Sequence, residues 1–204
     1  MLYFSKELLM KAPYKRNQVL GEYTIPGTYT LEVKTKGTYE IEAVSGGAGG
    51  CGIYSFDAWY NGAYGSTGCY YKNTFVINKG VYTIIIGAGG AADGRYMNAG
   101  GDTVFENHLL LKGGQGASIP GTGAGAVGAG GYLDWSSSSN TPTYSAGYNG
   151  YYYTANYGGW SGGPQVGPQQ NYGLGAYGQG GLGSTSANVG AGTGGYLKIT
   201  YKGR

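Results

Sequence analysis

The chain has 204 residues, of which 45 are glycine and 23 tyrosine, with 11% charged residues and a net charge of +3. That length suits one domain, with room for an attachment segment. So mild a positive balance, without an Arg-Gly-Gly run, speaks against a nucleic-acid partner, and no stretch of about 20 apolar residues is present to span a bilayer.

In residues 1–20, Leu2, Phe4, Leu8, Leu9 and Met10 interleave with Lys6, Glu7 and Lys11, a pattern that predicts a short helix ending near Pro13. This segment lacks the uninterrupted apolar core and small-residue cleavage site of a signal peptide, so the expected location is the cytoplasm, or a particle assembled there. It is read as an attachment or capping segment, either docking to another protein or lidding the adjoining domain. Residues 21–204 are read as one glycine-rich β domain.

That domain opens with two alternating runs, Tyr29, Leu31, Val33 and then Tyr39, Ile41, Ala43, separated by a "KTKG" turn. Alternation of this kind places one set of side chains on the core face of a sheet. Cys51 and Cys69 flank a stretch of aromatic and glycine residues. Without a signal peptide two cysteines do not make a disulfide scaffold, and both a pair and two separate thiols stay open. "YKNTFVINKGVYTIIIG" predicts two further strands around "NKG", a hairpin signal.

"TIIIGAGGAADG" then matches the dinucleotide fingerprint G-x-G-x-x-G/A at Gly87, Gly89 and Ala92. The fingerprint needs a helix directly after it, since the helix N-terminus supplies the free N–H groups for a pyrophosphate. The next residues, "DGRYMNAGGDTVFENHLLLKGG", have no helical periodicity and include Gly94, Gly100 and Gly101. The motif also recurs, at Gly47–Gly50, at Gly128–Gly131 and, more loosely, at Gly190–Gly195. A phosphate loop is used once; a repeated motif is architecture, and no cofactor is expected.

"DTVFENHLLLKGG" predicts a hairpin with Glu106, Asn107 and His108 at its tip, or one longer strand, and Asp102 reads as a turn residue. His108 is the sole histidine and has no thiol near it in sequence, so no metal site is expected. Residues 113–195 differ in kind: glycine fills 26 of 83 positions and Asp134 is the one charged residue. Such a stretch cannot offset its ordering entropy by burying side chains, glycine least of all. Small-residue runs such as "GTGAGAVGAGG" favour close-packed extended helices of three residues per turn, bonded to one another through their backbones, over disorder. A last alternating strand runs from Tyr196 to Tyr201.

Two aromatic stretches are candidate binding loops. One carries Trp59, Tyr60 and Tyr64; the other carries Trp135, Tyr144, Tyr148, Tyr151, Tyr152, Tyr153 and Trp160. Tyrosine offers contact area with few rotamers to freeze, beside adaptable Ser, Gly and Asn, and its ring also suits a sugar face. The competing reading packs these rings over the glycine segments as a substitute core. No enzyme is expected: G-x-S-x-G does not stand between a strand and a helix, and neither Asp93 with Asp102 nor Asp57 with Asp134 makes a convincing carboxylate pair.

In order and spacing, "YTIPGTYTLEV", "YEIEAVSGGAGG", "NKGVYTIIIGAGGAA", "GGDTVF", "LLLKGGQGA" and "GAGTGGYLKITYKG" resemble the glycine-rich domain of bacteriophage tail-fibre and adhesin proteins, over residues 21–203. The resemblance implies a mainly β fold, an antiparallel β-sandwich with packed glycine-rich, polyglycine II-like helices, displayed on a virion appendage for host recognition. Implied partners are other virion proteins, a host surface glycan or protein, and further copies of the chain, with a trimer as the expected oligomer. The tyrosine-rich insert at 132–160 departs from the family, so ligand specificity is not carried over.

Overall fold

The alternating runs form strands as expected, and their apolar faces meet in one core. The computed structural model describes residues 13–55, 58–92, 98–116, 129–148, 151–154, 177–180 and 190–204, with the backbone alone at 52–55, 58–64 and 151–154. The helix expected before Pro13 lies outside them. Among the described residues there is no helix, and all sheet pairing is antiparallel.

A first five-stranded sheet runs in the order β1 (Val19–Tyr23), β13 (Tyr196–Gly203), β3 (Gly37–Val44), β6 (Tyr70–Ile77) and β11 (Thr143–Ser145). A second runs β10 (Tyr132–Ser136), β9 (Leu109–Lys112), β8 (Thr103–Phe105), β7 (Gly80–Ile86) and β2 (Gly27–Val33). A third, smaller sheet holds β12 (Tyr151–Thr154), β5 (Ala58–Tyr64) and β4 (Cys51–Ser55). Ile41, Phe75 and Ile199 of the first sheet share a buried cluster with Leu31, Ile84, Phe105 and Leu109 of the second. Every second residue of these strands supplies that cluster, as a pleated strand with one buried face requires.

One expected hairpin forms and another does not. β8 and β9 pair across a turn at 106–108, where Asn107 takes a φ of 59° and His108 N–H donates to Phe105 O at 2.9 Å. The "NKG" link makes no hairpin: β6 belongs to the first sheet and β7 to the second, so the chain crosses between sheets there. A two-residue hairpin loop of the commonest type demands positive φ at both central residues. Asn78 and Lys79 have none, since Asn17 and Asn107 are the positive-φ non-glycine residues among those described. Crossing keeps Ile77 and Ile84 in the same core; "KTKG" likewise links β2 of the second sheet to β3 of the first.

Beyond the ends of these strands the glycine runs bond to one another with a period of three. Ser45 and Ala48 N–H donate to Cys69 and Ser66 O, Gly46 and Gly49 to Gly101 and Asn98, and Gly47 and Gly50 to Thr193 and Gly190, all at 2.8–3.1 Å. Successive donors of 45–50 thus point to three different neighbours, and each neighbour is met again three residues later. A β-ladder, by contrast, returns to the same partner every two residues. Gly87 and Gly90 keep the same spacing on another strand end, Gly87 O accepting from Gly195 N–H and Gly90 O from Gly192 N–H. Residues 45–50 are all buried.

Glycine serves this layer through its missing Cβ. Only Gly27, Gly178 and Gly203 have positive φ among the described glycines, so turn geometry does not explain the composition. A methyl group on Gly47 would collide with the carbonyl of Gln179, and one on Gly89 with that of Gly192. These obstacles are backbone atoms, which cannot rotate aside. Gly47→Ala and Gly89→Ala should each lose about 2 kcal/mol or more, the upper range of core overpacking. Gly80→Ala, where the methyl meets only the Tyr82 ring at 3.3 Å, should lose far less. Urea midpoints of the three variants check this.

Candidate functional site

The glycine layer decides where the aromatic stretches stand. β3 runs through residues 45–50 into β4, and β5 runs through 65–69 into β6. β3 pairs with β6 and β4 with β5, so one long hairpin threads the layer and emerges on its far side. A third connection takes the same course, from β11 through 146–148 toward β12. The small sheet is therefore carried beyond the layer by three chain segments of the first sheet. Its register sets Tyr151 opposite Tyr64, Tyr152 opposite Ala63, Tyr153 opposite Gly62 and Trp59 opposite Tyr54. Tyr60 lies on the same central strand, so six of the ten candidate residues share this sheet. Trp160 lies outside the described residues.

Trp135, Tyr144 and Tyr148 belong to a clasp, residues 132–148, which starts on the edge of the second sheet as β10 and reaches the edge of the first as β11. Polar contacts pin it to the body. Ser136 Oγ lies 2.7 Å from Tyr71 Oη, Ser138 Oγ donates to Thr74 O at 2.7 Å, and Asn73 Nδ2 donates to Asn140 O at 2.8 Å. Tyr144 Oη accepts from Leu133 N–H at 3.1 Å, tying the two ends of the clasp together. Trp135 and Tyr144 are each 40% exposed and Tyr148 52%, so the clasp holds rings in water on a bonded frame.

His108 sits under this clasp. Its ring stacks on Phe105 at 5.1 Å and meets Tyr82 at 5.5 Å and Phe75 at 5.9 Å, while Nδ1 lies 3.0 Å from Ser137 Oγ. Burial holds its pKa below the ordinary value. Both cysteines are buried and form no disulfide, and burial pushes the Cys69 thiol up to about 11, so it stays protonated at neutral pH.

The outward faces of the two large sheets differ in chemistry. On the first, register aligns Glu22, Lys198, Glu42 and Lys72 in one cross-strand row of alternating charge. Lys72 lies 3.6 Å from both Glu40 and Glu42, and Lys202 3.2 Å from Glu40. Such a ladder suits a solvated surface. On the second, register aligns Thr28, Ile85, Val104, Leu110 and Trp135, with no charge among them.

Trp135 reaches that row through a β-bulge. Leu133 pairs with Leu111 and Trp135 with Leu110, leaving Asp134 as the extra residue. Strict alternation would put Leu133 and Trp135 on one face; the bulge turns Trp135 to the outside. Tyr132, 46% exposed, stands opposite Lys112, whose Nζ donates to Asp102 Oδ2 at 2.8 Å. Asp102, expected as a turn residue, is instead a latch: its other oxygen accepts from Gly113 N–H at 3.0 Å. The row and Tyr132 escape sequence reasoning because they depend on pairing between distant strands. The one local signal is that "TIII", "TVF" and "LLL" are apolar on both faces.

Two large antiparallel sheets with a shared core, and glycine runs bonded to one another at their ends, define a mainly β protein organised around glycine. A model of the glycine-rich domain matches residues 24–204, every strand from β2 onward, and the chain belongs to that family. No curated protein matches the chain. No helix among the described residues is long and apolar enough to cross a membrane.

A His pKa below its unfolded value means that folding favours the neutral ring. Stability is therefore full above the unfolded pKa, near 6.5, and is lost as pH falls through it toward the folded value. The melting temperature of the native chain should fall between about pH 7.5 and 5.5, and His108→Gln should flatten that slope even while lowering the starting value. Melting curves of both proteins across that window check it.

Proposed function

We propose that this chain is a non-enzymatic virion protein, a fibre or spike component that contacts the host cell surface through its aromatic residues. The observation that carries the reading is the display of Trp135, Tyr144 and Tyr148 in water on a clasp fixed by hydrogen bonds at both ends. Rigid exposed rings lose little entropy on binding, an advantage that aromatic binding surfaces exploit. The glycine layer is, in this reading, an array of polyglycine II-type helices at the end of a β-sandwich, supported by the three-residue period of its bonds. Its role is to hold the small tyrosine-bearing sheet away from the body. The tail-fibre and adhesin resemblance supplies the setting: assembly into a virion in the host cytoplasm, with other virion proteins and further copies, as a trimer, for neighbours.

A structural decoration or assembly protein without receptor binding is the second reading. It is favoured by the uncharged row on the second sheet, which would suit a subunit contact. Cell-binding assays with the purified chain separate the two. Attachment predicts saturable binding to host cells that Trp135→Ala weakens about tenfold, the loss typical of a central aromatic anchor, with an unchanged melting curve. Binding that Trp135→Ala leaves intact removes the clasp from the attachment surface, and no cell binding at all favours the structural role.

A further inference from the structure

We infer that the outward face of the second sheet is a binding site for a neutral oligosaccharide, with Tyr132 and Trp135 as its stacking platforms. Such a site gives the attachment reading, on which it rests for its biological setting, a ligand class and a place. Both rings stand on β10, and both are exposed, although Tyr132 lies opposite a lysine and Trp135 opposite a leucine. The bulge at Asp134 is what brings Trp135 to the same outward face as Tyr132. A large ring turned from core to water is costly unless something covers it.

The surroundings select the occupant. A pyranose has an apolar C–H face and a hydroxyl rim, so it needs a ring to lie on and polar groups beside that ring. Lys112 and Asp102 stand beside Tyr132, with side chains 32% and 37% exposed. Their mutual bond uses one lysine N–H and leaves two for sugar hydroxyls, while each carboxylate oxygen keeps a further lone pair. Lys112 is neutralised by Asp102 and Asp134 is exposed next to Trp135, so an acidic sugar would meet repulsion where a neutral one would not.

Size points the same way. The row from Thr28 to Trp135 crosses five strands, about 20 Å at the ~4.8 Å strand spacing, close to the length of a tetrasaccharide. Together with the Tyr132–Lys112 row it makes a strip about 10 Å wide, about 200 Å², where a stable protein interface takes about 800 Å² from each partner. Ile85 and the part-exposed Val104 and Leu110 extend the rings as an apolar track under the remaining sugars.

Titration of the full chain with chitotetraose, cellotetraose and maltotetraose tests this, read by tryptophan fluorescence and by amide shifts of β9 and β10. Binding of at least one of them is expected, weakened about tenfold by Trp135→Ala and by Tyr132→Ala and unchanged by Val76→Ala, at an exposed position on the outward face of the first sheet. Tyr132→Ala keeps the test decisive if Trp135→Ala disturbs the bulge. Failure of all three sugars to bind, binding indifferent to both ring variants, or sedimentation as a dimer that Trp135→Ala dissociates would each overturn the inference. Cell binding that survives periodate oxidation of surface glycans sinks the sugar site and leaves attachment standing; sugar binding without cell binding does the reverse.

Discussion

The structure depends on backbone hydrogen bonds made where no side chain stands between two chains. A ladder of strands satisfies its own N–H and C=O groups, but once the chain leaves the ladder each buried amide needs another partner. Here the partner is a second glycine run. Because donors in residues 45–50 rotate through three directions, each run is bonded on several sides at once, and Ser45, Gly46 and Gly47 reach three separate segments in three consecutive residues. Each bond contributes a modest net amount, about 1 kcal/mol, yet an unpaired buried N–H costs more than that. The array is therefore stable only when complete, and a single methyl at its centre opposes several bonds together.

That constraint also explains the arrangement of the sheets. The core between the two large sheets is conventional, built from Tyr39, Ile41, Phe75, Phe105 and their neighbours. The small sheet stands apart from that core and is reached through segments 45–50, 65–69 and 146–148. Ser45 links layer and sheet directly: its Oγ donates to Lys112 O at 2.8 Å and accepts from Cys69 N–H at 2.9 Å. Thr103 does the same from the second sheet, donating to Val44 O at 2.9 Å. Small hydroxyl residues at the boundary satisfy carbonyls that neither ladder nor layer could reach.

How much is legible in the sequence depends on the range of each signal. Alternation is local, so Leu31, Val33, Tyr39, Ile41 and Ala43 are readable as a core face, and they are buried, with only the half-buried Tyr29 before them less so. The tip at Asn107 is readable because a short polar turn between apolar runs is also local. Partner choice is not. "NKG" looks like a hairpin in isolation, and only competition for the shared core sends β7 to the other sheet. The recurrence of GAGG marks it as architecture, but does not say which run bonds to which. Of the candidate site, Trp135, Tyr144 and Tyr148 stand out by composition, while Tyr132 does not, because its significance comes from Lys112 across the strand pair.

The two outward faces carry this difference between local and non-local information furthest. Glu40 and Glu42 advertise a solvated face within one strand, since charge alternates with Tyr39, Ile41 and Ala43 along the chain. Ile84, Ile85 and Ile86 advertise nothing so simple: a strand apolar on both sides belongs inside a protein, yet Ile85 faces water. An unbroken apolar run on an outer sheet thus marks a face that the core between the two sheets does not cover. The bulge at Asp134 adds a tryptophan to that same face by giving up one ladder position. Without that bulge, strict alternation would leave Trp135 beside Leu133, facing the core.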